Sequence, residues 1–412
     1  MNFEAAVAYL LSLGHEILTM KLGLRNTELL LNALDNPERA FPSVQIAGTN
    51  GKGSTAAMLD SICSAAGIKT GLYTSPHLVS ITERIKISGA NITPEDFAAC
   101  ATIVREASEQ LDVLPTFFEQ VTAIALVAFR NAGVELAILE TGLGGRLDST
   151  TAANAHIVAI TQIALDHQEY LGHTIASIAA EKAAIIRPGV RAVIGRQTYN
   201  EAMEVLLQRC RENGVTPILV NDDFHLIAEQ VNLALRGHYQ LENAAVAIHL
   251  AELLRETGFD IPHAAIVRGL ETAQHPGRLE LIQHQPAILI DGAHNPAGAE
   301  SLRAYLDEFA SRPLTLVFGA MRDKQLEQIG AILFPVADLL VLTRVRNPRS
   351  ATLEMLEPIA ARYARGKVLE SDTSEAALEL ALANTPSQGM ICVAGSLYLV
   401  GEMRRLILSL GK

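Results

Sequence analysis

Short apolar runs alternate with amphipathic stretches from residue 43 onward: "SVQIA", then "STAAMLDSICSAAG", then "TGLYTS", later "VELAILE", "AHIVAITQI" and "RAVIG". Runs of this length bounded by turn residues, each followed by helical spacing, are the rhythm of βα units and predict a mainly parallel sheet. Thr93 and Pro94 ahead of "FAACATIVREASEQL" supply a capping hydroxyl and a first-turn proline, so a helix is expected to start there. "HYQLENAAVAIHLAELLRETG" predicts a long helix stopping at Gly258, where glycine can turn left-handed. A second βα series follows "AQHPGRLELIQHQP": "AILIDGAHNP", "PLTLVFGAM", "DLLVLTRV", "KVLES" and "GMICVAGS". The expectation is an α/β chain with a larger domain over residues 1–275 and a smaller one over 276–412, parted in the Pro-Gly and Gln-rich segment 274–286. A length of 412 residues accommodates two domains, one of about 250 residues.

Composition narrows the class. Hydrophobic residues at 49% with 19% charged fit a soluble α/β enzyme. A net charge of -12 argues against a general nucleic-acid binder, yet leaves room for a cleft whose local field is set by a few lysines and arginines. Cys63, Cys100, Cys210 and Cys392 stand far apart with no CxxC pair, so neither a zinc site nor a disulfide framework is expected, and the thiols should be reduced and buried. The stretch "MNFEAAVAYLLSLGHE" carries Glu4 and no basic run, unlike a signal peptide. "VTAIALVAFR" breaks at Arg130, short of the roughly 20 residues of a membrane span. A cytoplasmic monomer with small-molecule partners, and neither nucleic acid nor membrane, is the expectation.

The chemistry begins at "QIAGTNGKGST", residues 45–55. The usual phosphate loop has four residues between its first glycine and the Gly-Lys pair; here only two separate Gly48 from Gly51. Read as a strand, a turn over Gly48 to Gly53 and a helix from Ser54, the segment converges backbone N–H groups at a helix N-terminus, with Lys52 reaching phosphates and Ser54 a magnesium ion. An ordinary strand-to-helix connection would read the same way. Three more polar residues close apolar runs, where ligands of open α/β sheets bind: Glu140 after "VELAIL", Ser75 in "YTSPHL" and His167 in "IALDHQEYLG". Glu140 suits a hard cation. Ser75 before Pro76 also suits a turn, and His167 beside Asp166 a surface pair. Lys182, in the apolar stretch "IASIAAEKAAIIRPG", reads from spacing alone as a lysine with a buried stem and a solvated head. Asp291, His294 and Ser396 lie just past strands, where each could serve a ligand or cap the next helix.

Taken as an ordered set, "AGTNGKGST", "YTSPHLVSITERI", "ETGLGGRLDST", "ITQIALDHQEYLG", "AAEKAAIIRPG", "HPGRLE" and "DGAHNP" resemble the folylpolyglutamate synthase and dihydrofolate synthase family, from about residue 20 to 400. That family belongs with the Mur ligases, whose phosphate loop is of this shortened Gly-Thr-x-Gly-Lys type. The short spacing is then a complete loop of another class. Peptidoglycan ligases of the superfamily carry a further UDP-sugar-binding domain ahead of the ATPase domain, for which the 47 residues before Gly48 leave no room.

The resemblance implies a P-loop ATPase-type, mainly parallel sheet domain and a smaller Rossmann-like α/β domain, with the active site in the cleft between them. It implies ATP-driven amide formation through an acyl phosphate, with L-glutamate joined to dihydropteroate, to reduced folates, or to both. Thr49, Asn50, Gly51, Lys52, Gly53 and Ser54 would cradle the phosphates, and Asn243, Arg278 and Asp291 would contact ATP. Ser54, Ser75, Glu140 and His167 would hold magnesium. Lys182 matches a carbamylated lysine that helps hold a second magnesium ion, the reverse of its reading from spacing. His294 and Ser396 would face glutamate; Lys21, Leu22, Arg84, Thr116, Phe117, Phe118, Leu147 and Asp148 would face the pterin. Lys52, Lys182 and His294 are the implied catalytic set. Ala184 stands where a glycine is usual and Ser149 where alanine is common; neither removes a catalytic group. A synthase that only extends folate tails, a P-loop ATPase or kinase forming no amide, and a non-catalytic nucleotide-binding module are the competing readings.

Overall fold

In a computed structural model, residues 1–14, 23–220 and 231–410 are described, so Lys21 and Leu22 lie outside the described residues. The chain divides into two compact units, Met1–Ala234 with Leu241–Gln274, and Leu235–Gln240 with His275–Lys412.

The elements up to residue 272 run in the order α1 (Phe3–Ser12), α2 (Arg25–Ala33), β1 (Ser43–Ala47), α3 (Lys52–Ala65), β2 (Thr70–Tyr73), β3 (Ile85–Ile87), β4 (Ala90–Asn91), α4 (Pro94–Ser108), α5 (Phe117–Ala132), β5 (Leu136–Glu140), β6 (Ile157–Ile160), α6 (Gln168–Leu171), α7 (Ile175–Ala183), β7 (Arg191–Ile194), α8 (Asn200–Glu212), β8 (Ile218–Leu219), α9 (Tyr239–Glu256) and α10 (His263–Thr272). Among the described residues the sheet order is β4-β3-β2-β5-β1-β6-β7-β8, parallel from β2 to β8, with β3 and β4 added antiparallel. β1 is buried along its whole length, as expected of a strand covered on both faces. Its register pairs Ile46 with Glu140 and Ala47 with Ile160, which lines up the carboxyl ends of β5, β1 and β6.

Local signals behave as the sequence suggests. Thr93 accepts a hydrogen bond from the Asp96 N–H at the start of α4, and Gly258 has φ +105° just past α9. The apolar run "VTAIALVAFR" forms the buried middle of α5, and no helix among the described residues is long and apolar enough to cross a membrane. All four cysteines are free and buried. α3 departs from expectation by starting at Lys52 rather than Ser54, because Gly51 turns left-handed at φ +90° and feeds the chain straight into the helix.

The second unit carries β9 (Glu280–His284), β10 (Ala287–Ile290), α11 (Pro296–Phe309), β11 (Leu314–Phe318), α12 (Leu326–Leu333), β12 (Leu339–Thr343), α13 (Leu353–Tyr363), β13 (Lys367–Ser371), α14 (Ser374–Asn384), β14 (Met390–Ala394) and α15 (Leu397–Leu410). Its sheet order is β13-β12-β11-β14-β10-β9, parallel except for β9. The Gln-rich stretch between the two βα series thus contains an edge strand.

Candidate active site

The loop leaving β1 has no room for a side chain at Gly48 or Gly51. A Cβ on Gly48 would fall 1.9 Å from the Thr161 hydroxyl oxygen, and one on Gly51 would fall 2.2 Å from Asn243 Oδ1. Asn243, from α9, is therefore seated against the loop it was expected to serve. The Thr49 and Asn50 N–H groups donate to the Gln162 carbonyl at 2.8 and 3.2 Å, and the Thr161 hydroxyl donates to the Asn50 carbonyl at 2.7 Å. Thr49 Oγ1 lies 3.1 Å from both the carbonyl and the N–H of Ala164. The helical ladder begins with Thr55 N–H on the Gly51 carbonyl, so the N–H groups of Lys52, Gly53 and Ser54 precede it at the positive end of α3.

Two lysines bond carbonyls of this loop. Lys52 Nζ donates to the Thr49 carbonyl at 3.1 Å and Lys182 Nζ to the Gly48 carbonyl at 2.7 Å. Lys182 is only 5% exposed, which removes the reading of a solvated head. Burial, reinforced by the Lys52 charge, pushes its pKa down to about 7, against the opposing pull of Asp166, Asp148 and Glu181. An amine in that range is substantially neutral near pH 7.

Glu140, 5% exposed at the end of β5, accepts the Ser75 N–H at 3.1 Å, so the ends of β5 and β2 meet. His167 sits at φ +49° after β6; its N–H donates to Asp166 Oδ1 at 2.8 Å, and its Nε2 lies 3.8 Å from Asp166 Oδ2. Ser54 is buried in the first turn of α3. Among the described residues no three His, Cys, Asp or Glu side chains form a ready-made metal cluster. One buried carboxylate beside the Ser75 backbone nevertheless fits magnesium, which keeps much of its water and shares phosphate oxygens.

In the second unit Asp291 accepts the N–H groups of Leu279 and Ala293, both at 2.9 Å. Burial raises its pKa, with the Arg278 guanidinium pulling it back down. His294 Nδ1 lies 2.7 Å from the Gly292 carbonyl, and it is Asn295, not His294, that caps α11 by accepting the Gly298 N–H at 2.8 Å. Ser396 Oγ accepts the Tyr398 N–H at 3.1 Å and so caps α15. Both segments follow paired strands, β10 and β14.

The residues assigned to the pterin side fall into two groups. Arg84 is 1% exposed, donates from Nε to His77 Nδ1 at 2.8 Å and lies 5.5 Å over the Phe117 ring. Thr116 opens α5 in a reciprocal cap with Glu119, and Phe117 and Phe118 are core residues. Asp148 accepts Leu143 N–H, Thr150 N–H and the Thr150 hydroxyl, shaping the loop after β5, where Leu147 is half-buried. Thr161 and Gln162, which brace the loop leaving β1, were not singled out by sequence. Their position directly after the apolar run "IVAI" was the available signal.

Residues 46–251 match the family model of the Mur ligase middle domain, and residues 277–397 that of the Mur ligase glutamate ligase domain. A dihydrofolate synthase/folylpolyglutamate synthase of Escherichia coli K12 is 34% identical over 94% of this chain and 92% of its own length. The chain belongs to the dihydrofolate synthase/folylpolyglutamate synthase family. A family relative from Haloferax volcanii, a probable bifunctional folylpolyglutamate synthase/dihydropteroate synthase, is 35% identical over 98% of this chain, which spans 50% of that longer protein. The solved structure of Escherichia coli FolC in complex with DHPP and ADP aligns with a TM-score of 0.89 at 31% identity, covering 100% of this chain and 99% of that one.

Proposed function

We propose that this family member joins L-glutamate to dihydropteroate and to the glutamate tail of reduced folates, converting ATP to ADP and phosphate. The observation that carries the reading is a loop closed to side chains on which Lys52 and the buried Lys182 both converge. The Lys52 ammonium, a backbone loop and a helix N-terminus together suit the phosphates of a nucleotide, with the Lys182 amine packed on the Gly48 carbonyl.

The acceptor's carboxylate attacks the γ-phosphorus and ADP departs, giving an acyl phosphate. The amine of glutamate then attacks the acyl carbon and phosphate leaves. Lys52 neutralises charge on the transferred group, and the first-turn N–H groups of α3 orient the phosphates. Ser54, Ser75, Glu140 and His167 would hold magnesium, which would supply further charge neutralisation. Lys182, with its pKa near 7, holds the neutral amine that carbon dioxide requires, so carbamylation at this position fits its environment. Asn243, Arg278 and Asp291 contact ATP; His294 and Ser396 take the amino acid; Arg84, Thr116, Phe117, Phe118, Leu147 and Asp148 shape the pterin side, with Lys21 and Leu22. The second activity in the name of the longer Haloferax relative is not carried over.

ADP release with L-glutamate and either dihydropteroate or tetrahydrofolate tests the reading. Turnover is expected with both acceptors. Turnover with the folate alone would leave a tail-extending synthase, and ADP release without amide product would return the chain to the ATPase reading.

A further inference from the structure

We propose that Gln197 is a positioning residue for nucleotide binding: its side-chain amide replaces a rung of the parallel sheet and thereby sets the carbonyl that anchors the phosphate loop. The inference rests on the ATP-dependent reading above.

The β6–β7 ladder pairs Ile160 with Ile194, and the Gly195 N–H still donates to the Ile160 carbonyl at 2.8 Å. Past Gly195 the chain leaves toward α8. At that point the Gln197 side chain takes over. Its Oε1 accepts the Ile163 N–H at 3.0 Å and its Nε2 donates to the Thr161 carbonyl at 3.1 Å. These two bonds, one on each side of Gln162, have the form of a parallel-ladder rung, shifted by one residue from the rung that Gly195 makes to Ile160. The second Nε2 hydrogen donates to the Gly195 carbonyl at 2.8 Å, which ties the amide to its own strand. The acceptor and both donors of the amide are thus all spent on backbone, and only one orientation of the group satisfies all three.

What the amide holds is Gln162, whose carbonyl accepts both Thr49 and Asn50 N–H groups of the phosphate loop. The flanking residues join in, Thr161 through its hydroxyl on the Asn50 carbonyl and Ala164 through the Thr49 hydroxyl. Three residues beyond Ala164 comes His167. A side chain outside the loop therefore holds the backbone on both sides of Gln162, beside the Thr198 hydroxyl that accepts from the Gln162 amide at 2.9 Å. No hydrophobic replacement can do this, because it would leave two carbonyls and one N–H without their amide partner, and a carboxylate would keep the acceptor but lose both donors.

The test compares ADP affinity by calorimetry and steady-state kinetics for the full chain, Gln197→Ala, Gln197→Met, Gln197→Glu and a control, Leu206→Ala. Leu206 is a core residue of α8 with 0% exposure, so its truncation should lower the melting temperature without moving the loop. The three Gln197 variants should bind ADP about tenfold more weakly, with a parallel rise in KM for ATP. KM for glutamate and kcat should stay within about twofold of wild type. Gln197→Met keeps the volume of glutamine and serves if the alanine variant folds poorly. Unchanged ADP affinity in Gln197→Ala and Gln197→Met would overturn the inference, as would equal losses for all substrates tracking the melting temperature as in Leu206→Ala. A wild-type chain that bound no ADP would instead sink the ATP-dependent reading, and this inference with it.

Discussion

Replacing Lys182 by Met removes a titrating site while nearly keeping its volume, and the pH dependence of stability should report the environment of that site. Burial holds the lysine pKa down near 7 against the ordinary 10.5. Between those values the unfolded chain carries a proton that the folded chain does not. Stability contributed by this group therefore rises with pH through that window, and below about 7 the cost of burying the ammonium is fully present. The slope for one proton is about 1.4 kcal/mol per pH unit, so the stability of wild type should rise by about 2.5 kcal/mol relative to that of Lys182→Met from pH 6 to pH 9, narrowing the variant's advantage at low pH. Losing the bond to the Gly48 carbonyl adds a roughly pH-independent offset of about 1 kcal/mol. Because all other groups are shared, the subtraction isolates Lys182. The chain lacks tryptophan, so urea unfolding is best followed by far-UV circular dichroism, in carbon dioxide-free buffer. A difference that stays flat across this range would mean that the ammonium persists in the fold, and the account of its burial would be wrong.

Three further outcomes follow from the same site. Lys52→Ala should fold and lose ADP release by at least about a hundredfold, since the transferred phosphoryl group loses its fixed cation. Glu140→Gln keeps the acceptor for the Ser75 N–H but drops the charge, so the magnesium concentration giving half-maximal activity should rise about tenfold or more, and an unchanged requirement would place the metal elsewhere. Gly51→Ala forces a Cβ to within 2.2 Å of Asn243 Oδ1 at a positive φ, which should lower unfolding stability and abolish measurable ADP binding; the backbone part of that loss is about 1–2 kcal/mol.

What the sequence reveals is what lies close along the chain. "SVQIA" is β1 residue for residue, Thr93 caps α4, and the glycines at 48 and 51 are where a side chain cannot go. Each of those outcomes depends on neighbours a few residues away or on the pleat of one strand. Lys182 is different. Spacing on α7 favours a solvated lysine, and only the arrival of β1 and its loop, more than a hundred residues earlier, buries the amine against Gly48. Arg84 and Asp148 carry the same lesson from the other side. The resemblance implies pterin contacts for both, and in the fold Arg84 is also packed over Phe117 and bonded to His77, while Asp148 is bonded to three donors of its own loop. A polar residue at a strand end can thus serve the ligand or the loop that presents the ligand's partners, and residue type alone does not separate the two. Gln197 is the extreme case: it has no charge, lies in no recognisable pattern, and stands 35 residues from the segment it holds in register around Gln162. The residues that touch phosphate must look alike in any chain that binds it, because the chemistry of the ligand dictates them. Those that hold the loop in place answer only to the backbone around them, so their type is set by contacts that the fold brings together and leaves no signature in the sequence.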